Sequence, residues 1–89
     1  IVGRYGGEEF VVIMQDTKID AAMVVMNRVR EEFSRFVHFS DDDGSEFITT
    51  FSAGLSSFPQ FSTVEKIQAQ ADRALYSAKN EGRNKVSMA

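Results

Sequence analysis

Arg4-Tyr5-Gly6-Gly7-Glu8-Glu9-Phe10 runs directly into the apolar stretch Val11-Val12-Ile13-Met14, and the reading of this segment decides the fold. Two adjacent glycines between β-prone flanks predict the turn of a hairpin, because Gly-Gly takes the positive φ angles that two-residue turns need. The arms are predicted over Ile1–Tyr5 and Phe10–Gln15. Glycine also lets a ligand approach the backbone, since no Cβ stands in the way. Two carboxylates follow at once. Period-2 alternation puts Glu8 and Phe10 on one face of the outgoing strand and Glu9 on the other, unless a bulge intervenes. A carboxylate beside a bare-backbone turn suits a hard cation such as Mg²⁺, which takes oxygen ligands and phosphate company. An ordinary hairpin with two solvated glutamates satisfies the same pattern.

Working outward, Thr17-Lys18-Ile19-Asp20 has the form of a capping box with Asp in place of Glu, and predicts a helix from about Lys18 or Ile19 to about Phe36. Ala22, Met26, Val29, Phe33 and Phe36 recur at spacings of three and four and make one apolar stripe. Arg28, Glu31, Glu32 and Arg35 fall mostly on the opposite, solvated side. Val37-His38-Phe39 reads as a short strand and Asp41-Asp42-Asp43-Gly44 as a turn. The three aspartates lack the alternating ligands and distal Glu of an EF-hand loop, so they read as surface charge. His38 is the only histidine and there is no cysteine, so a zinc site has nothing to build on, and His38 is expected on the surface of its strand.

Phe47–Phe58 is predicted as a strand, rich in β formers at Ile48, Thr49, Thr50 and Phe51. Gly54 inside it marks a place where a neighbouring backbone or ligand comes close. The only proline, Pro59, marks the strand's exit. Ser62-Thr63-Val64-Glu65 predicts a second capped helix over about Thr63–Glu81, with Val64, Ile67, Ala71, Ala74 or Leu75, and Ala78 inward. Gly82 stands where a helix-terminating glycine belongs. Lys85-Val86-Ser87-Met88 reads as a last short strand.

The whole chain has 89 residues, 43% hydrophobic and 26% charged, which bounds it to one domain or less with a modest core. A net charge of −3 gives no electrostatic footprint for nucleic acid or anionic lipid. No apolar run approaches the roughly 20 residues that span a bilayer. The absence of cysteine excludes disulfides and thiolate metal sites. The chain opens on Ile1-Val2-Gly3 without an initiating Met and reads as part of a longer protein.

The signature segment resembles the loop of GGDEF domains, the diguanylate cyclases, in the variant with Glu at the third letter. Three further blocks agree in order: Thr50-Phe51-Ser52-Ala53-Gly54 is similar to the family's Thr-x-Ser-x-Gly strand. Ala71-Asp72-Arg73-Ala74-Leu75-Tyr76-Ser77-Ala78-Lys79 resembles its C-terminal helix, and Gly82-Arg83-Asn84 the close of that helix. The resemblance implies an α/β (α+β sandwich) fold, a mostly antiparallel sheet with flanking helices, related to the nucleotidyl cyclase palm. Residues 1–89 would be the C-terminal part of that domain, its upstream half lying ahead of Ile1.

By the same resemblance, Glu8 is the catalytic and metal-binding position, Glu9 a further metal contact, and Gly6 and Gly7 line the nucleotide. Lys79 and Arg83 match the phosphate-binding pair. With Asp72 and Tyr76 they form a line spaced four, three and four on one helical face, the latter two expected to support the fold. Cations at a helix C-terminus also suit its dipole without any ligand. Arg28 matches a contact of the product-inhibition site. The family's activity would be condensation of two GTP into cyclic di-GMP with Mg²⁺ or Mn²⁺, by a cytoplasmic homodimer joined to sensor or effector domains. The alternative is a silent GGDEF domain that binds GTP or cyclic di-GMP as a regulatory module. The family's metal-binding Asp, guanine-contacting residues and primary inhibitory motif would all lie ahead of Ile1. Residues 1–89 alone are therefore expected to be inactive.

Overall fold

A computed structural model describes residues 2–6 and 8–89, and the expectation placed on Gly7 falls outside them. The order of elements is β1 (Val2–Gly6), β2 (Glu9–Val12), α1 (Ile19–Arg35), β3 (His38–Phe39), β4 (Glu46–Phe47), β5 (Ala53–Leu55), α2 (Val64–Asn80) and β6 (Val86–Met88). This is a small α+β arrangement. Its strands form three two-stranded sheets rather than one: β1–β2 and β3–β4 are antiparallel, β5–β6 parallel.

The packed part lies where α2 covers the parallel pair. Ala74, Ala78 and Val86 are the buried apolar residues among those described. Small residues on the helix bring it close to the strands, and Gly54 takes that approach to its limit. A Cβ built there would overlap the Ala71 carbonyl oxygen and the Leu75 amide nitrogen, and would stand 2.9 Å from the Ala74 carbonyl carbon. The close approach expected at Gly54 is therefore real, and the neighbour is the backbone of α2. Ala53 donates to the Lys85 carbonyl at 3.0 Å and Ala89 to the Leu55 carbonyl at 2.8 Å, extending the ladder at both ends. The Ser56 hydroxyl donates to the Ile67 carbonyl, a further tie between this layer and the helix.

α1 also packs on β5 and β6. Its half-buried positions are Ile19, Ala22, Met23, Met26, Asn27, Arg30, Phe33 and Ser34, a stripe at successive spacings of three and one. Val29 and Phe36, expected in that stripe, are 45% and 64% exposed. The helical face is thus rotated from the predicted one, with Asn27 and Arg30 replacing Val29. Val64 of α2 is likewise exposed, because as the first helical residue it lies beyond the strands that Ala71, Ala74 and Ala78 cover.

The two helix starts differ from their predicted form. α1 has Lys18 at its N-cap with no side-chain capping bond, while the Thr17 hydroxyl donates to the Gln15 carbonyl at 2.8 Å. No capping box forms. At α2 the cap is Thr63, one residue later than the predicted Ser62, and its hydroxyl oxygen accepts from the Lys66 amide at 3.2 Å. The third helical residue is then a lysine, which cannot return the bond as a glutamate would.

Phe47–Phe58 does not form one strand. β4 ends at Phe47 and β5 begins at Ala53, since a strand exists only where a partner takes its backbone bonds. His38 is half-buried, not superficial. Its ring lies 5.0 Å from Phe33, 5.4 Å from Phe36 and 5.3 Å from Phe47, and Phe33 meets Phe51 edge-on at 5.4 Å. The β3–β4 connection closes as predicted through Asp41–Gly44, with the Gly44 amide donating to the Ser40 carbonyl at 2.9 Å and Gly44 at φ 71°.

Candidate functional site

The signature hairpin forms, but its turn is displaced from the predicted one. Val2 pairs with Val12, Gly3 with Val11, Arg4 with Phe10 and Gly6 with Glu9. The register slips between Arg4 and Gly6, leaving a bulge at Tyr5. Gly6 is therefore the last residue of β1, and Glu8 sits in the turn rather than in the outgoing strand. Strand alternation cannot fix where Glu8 points, which removes the basis for placing it with Phe10. Glu8 and Glu9 are both exposed, as is Gly6. Space around Gly6 is open, with nothing within 4 Å of a Cβ built there.

The hairpin carries an apolar load that it does not bury. Val2, Phe10, Val11, Val12 and Ile13 are all exposed, Phe10 at 66%. No other helix or strand packs on β1 or β2 among the described residues.

The second part of the predicted site is the end of α2. The helix stops at Asn80, with Glu81 as C-cap and Gly82 beyond it at φ 117°. The Arg83 amide donates back to the Ala78 carbonyl at 3.0 Å, which is the six-to-one bond of a Schellman closure. Arg83 and Asn84 then continue in the left-handed region at φ 61° and 49°. Such a conformation costs a residue with a Cβ roughly 1–2 kcal/mol. Arg83 therefore does not extend the helical line of Asp72, Tyr76 and Lys79; its position is set by the turn. Lys79 is half-buried in the last helical turn, while Asp72, Tyr76 and Arg83 are exposed. The exposure of Asp72 and Tyr76 leaves them little part in holding the fold. Arg28 is exposed on α1.

Sequence reasoning missed Arg30. Its side chain is 17% exposed and reaches from α1 to the turn after α2. One terminal nitrogen donates to the Asn84 side-chain oxygen at 3.0 Å and to the Asn84 carbonyl at 3.4 Å. Nε donates to the Asn27 side-chain oxygen at 3.3 Å, and the other terminal nitrogen lies 3.6 Å from the Glu31 carboxylate. The available signal was the pair Asn27 and Arg30 at helical spacing inside an otherwise apolar stripe.

A depression of about 500 Å³ lies between α2 and β6, bordered by Arg73, Ala74, Ser77 and Met88. A second of about 440 Å³ runs along Asp72, Arg73, Tyr76 and Ser77. Neither includes Glu8, Lys79 or Arg83, so concavity does not single out the residues the motif does. No three metal-ligating side chains converge among the described residues. Glu8 and Glu9 offer oxygen donors of the type Mg²⁺ or Mn²⁺ takes, as part of a ligand set.

The described residues make a small α+β arrangement: a hairpin with an acidic turn, followed by two helices on a short parallel strand pair. The model of the GGDEF domain, diguanylate cyclase, matches residues 1–85, and the chain belongs to this family. It is 38% identical over 87 residues to diguanylate cyclase A of Treponema denticola, covering 96% of this chain and 23% of that protein. It is 41% identical over 85 residues to the response regulator PleD of Caulobacter vibrioides, covering 93% of this chain and 18% of that one. The chain thus spans less than a quarter of the length of these relatives.

Among solved structures, the GGDEF domain of DgcB from Caulobacter crescentus in complex with c-di-GMP superposes with a TM-score of 0.80 at 26% identity. That match covers 98% of this chain and 50% of the other. The active GGEEF domain of a diguanylate cyclase from Vibrio cholerae gives 0.73 at 27% identity, covering 98% and 54%. Gly6–Phe10 spells the same five letters. No described helix is long and apolar enough to cross a membrane.

Proposed function

We propose that residues 1–89 are the C-terminal part of a GGDEF domain that condenses two GTP into cyclic di-GMP and two pyrophosphates. The observation that carries this reading is Glu8 exposed in the turn of the Gly6–Phe10 hairpin, in a chain whose family is that of the diguanylate cyclases. In each half-reaction the 3′-hydroxyl of one GTP attacks the α-phosphorus of the other. A new P–O bond forms, the α–β bridge breaks, pyrophosphate leaves, and the hydroxyl proton passes to the Glu8 carboxylate. Repeating the step closes the ring.

Glu8, with Glu9 beside it, would hold Mg²⁺ or Mn²⁺ together with an acidic residue from the upstream half of the domain. A bound divalent ion supplies charge neutralisation at the phosphates. Gly6 and Gly7 leave the backbone open to the nucleotide. Lys79 and Arg83 bind the phosphates, Lys as a point charge and Arg as a planar fork, each worth about 1.5–3 kcal/mol as a hydrogen-bonded charge. Arg28 contacts the product at an inhibitory site. Each subunit of a homodimer presents one GTP, in the cytoplasm where GTP is held, under the control of sensor or effector domains in the same protein.

Glu8→Gln in the full-length protein is the test. An amide neither takes the proton nor ligates the ion well, so turnover should fall by about 100-fold or more. Circular dichroism and thermal unfolding should be unchanged, since Glu8 is exposed. Turnover within a few-fold of wild type would sink the assignment. Residues 1–89 assayed alone with GTP and Mg²⁺ should make no cyclic di-GMP.

A further inference from the structure

We propose that Arg30 is the positioning residue of the turn after α2: by holding Asn84 it fixes the left-handed backbone of Arg83 and Asn84, and with it the direction of the Arg83 guanidinium. The consequence for the nucleotide rests on the proposed phosphate-binding role of Arg83. The consequence for the turn does not.

Arg83 and Asn84 both stand at positive φ without being glycine, immediately after Gly82 at φ 117°. A run of this kind persists only where its surroundings over-determine it. Two restraints are visible. One is local, the Arg83 amide on the Ala78 carbonyl at 3.0 Å. It fixes where the turn leaves the helix and does not reach Asn84. The other comes from 54 residues earlier in the chain: Arg30 donates to both the side chain and the backbone carbonyl of Asn84, at 3.0 and 3.4 Å. A guanidinium is suited to this, because the two hydrogens of that one terminal nitrogen lie in the guanidinium plane and fix direction as well as distance.

Arg30 is itself held. Its side chain is 17% exposed, and Nε donates to Asn27 on the preceding helical turn at 3.3 Å. The Glu31 carboxylate lies 3.6 Å from its remaining nitrogen. Since α1 packs on β5 and β6, the guanidinium is anchored to the packed part of the molecule. Arg83, exposed and one residue before Asn84, takes its aim from that anchor. Arg30 itself does not touch the nucleotide; it acts through Asn84.

The experiment uses three substitutions in the full-length protein. Arg30→Met keeps the stem and removes the donors. Asn84→Gly keeps access to positive φ and removes the side-chain acceptor, so it survives a failure of Arg30→Met to fold. Asn84→Asp keeps the acceptor and tolerates the left-handed region. Hydrogen exchange of the Arg83 amide, read by NMR, reports the turn, and exchange at Leu75 in mid-helix reports the fold. Isothermal titration reports GTP affinity.

Arg30→Met and Asn84→Gly should speed exchange at Arg83 and leave Leu75 as it was, while Asn84→Asp should retain wild-type exchange. GTP affinity should drop about tenfold in the first two, the low end for losing a hydrogen bond to a charged group. Neither should add to the loss already caused by Arg83→Ala. Exchange at Arg83 within twofold of wild type in both Arg30→Met and Asn84→Gly would overturn the proposal. So would a loss of GTP affinity that adds in full to that of Arg83→Ala. If Arg83→Ala itself leaves GTP affinity unchanged, the phosphate reading fails, and exchange at Arg83 alone still decides the role of Arg30.

Discussion

The block formed by β5, α2 and β6 and the hairpin formed by β1 and β2 are opposites in composition and in packing. In the block the decisive residues are mostly small: at Gly54 the backbone of α2 comes directly against β5, and Ala74, Ala78 and Val86 are buried. In the hairpin the apolar residues are large, and Phe10 and Val2 stand 66% and 70% exposed. Bulk alone therefore does not make a core. Burial needs a second layer, and only the block has one among the described residues. The residues proposed for the chemistry lie mostly outside the packed layer, Lys79 of α2 excepted. Glu8 and Glu9 belong to the open hairpin, and Arg83 to a turn at the block's rim.

The largest effect expected from breaking this contrast is at Gly54. Gly54→Val would drive a branched side chain into the backbone of Ala71, Ala74 and Leu75, atoms that cannot rotate aside as a side chain would. Overpacking of a flexible core typically costs about 1–3 kcal/mol, and a rigid backbone neighbour should raise the loss to about 3 kcal/mol or more. Urea unfolding of the full-length protein would measure it. The same exchange at Gly6, where nothing lies within 4 Å of the added Cβ, should cost far less in stability. Equal losses at the two glycines would erase the distinction between the regions.

Both outcomes were partly legible in the sequence, for different reasons. The Gly54 approach followed from a glycine set among β formers, a local signal that packing then used. The end of α2 followed from Gly82, where the φ of 117° is one that a Cβ disfavours. The hairpin was legible as a hairpin, yet its turn shifted because the bulge at Tyr5 changes the count of paired residues. That count depends on hydrogen bonds between strands, which periodicity does not encode. Residues 47–58 failed as a single strand for a related reason: β propensity names residues that fit a sheet and is silent on where partners lie.

The inward face of α1 was misplaced because Val29 is more apolar than Arg30. Arg30 is nonetheless drawn inward by Asn84, 54 positions away. At the proposed site, the residues were named through the motif alone. Their relative placement was not legible, since Glu8 sits in a turn and Arg83 beyond a helix end.

A smaller effect separates the two helix starts. Thr63→Ala removes the oxygen that accepts from the Lys66 amide, and an N-cap loss of this kind costs about 1 kcal/mol. Thr17→Ala should cost less, because the Thr17 hydroxyl donates to the Gln15 carbonyl and satisfies no amide of α1. Thermal unfolding of both variants side by side would show the difference. A loss at Thr17 equal to that at Thr63 would mean that α1 is capped in solution as the sequence pattern suggested.

The smallest effect concerns Asp43 in the turn between β3 and β4. Hydrogen bonding by Ser45, from its side chain and then its backbone amide, holds the Asp43 carboxyl below its ordinary value. The Ser45 amide donates to Asp43 Oδ1 at 2.9 Å. A carboxyl whose pKa is depressed in the folded state binds its proton less readily there than in the unfolded chain. Its contribution to stability is therefore fully present above the unfolded value, about pH 4, and is lost as pH falls through the lower folded value. Asp43 is exposed, so solvent screening keeps that contribution small. An NMR titration should place the Asp43 midpoint below the ordinary aspartate value. Ser45→Ala should move it upward without restoring the ordinary value, because the backbone amide still donates. An Asp43 midpoint unchanged by Ser45→Ala would give the Ser45 hydroxyl no part in the shift.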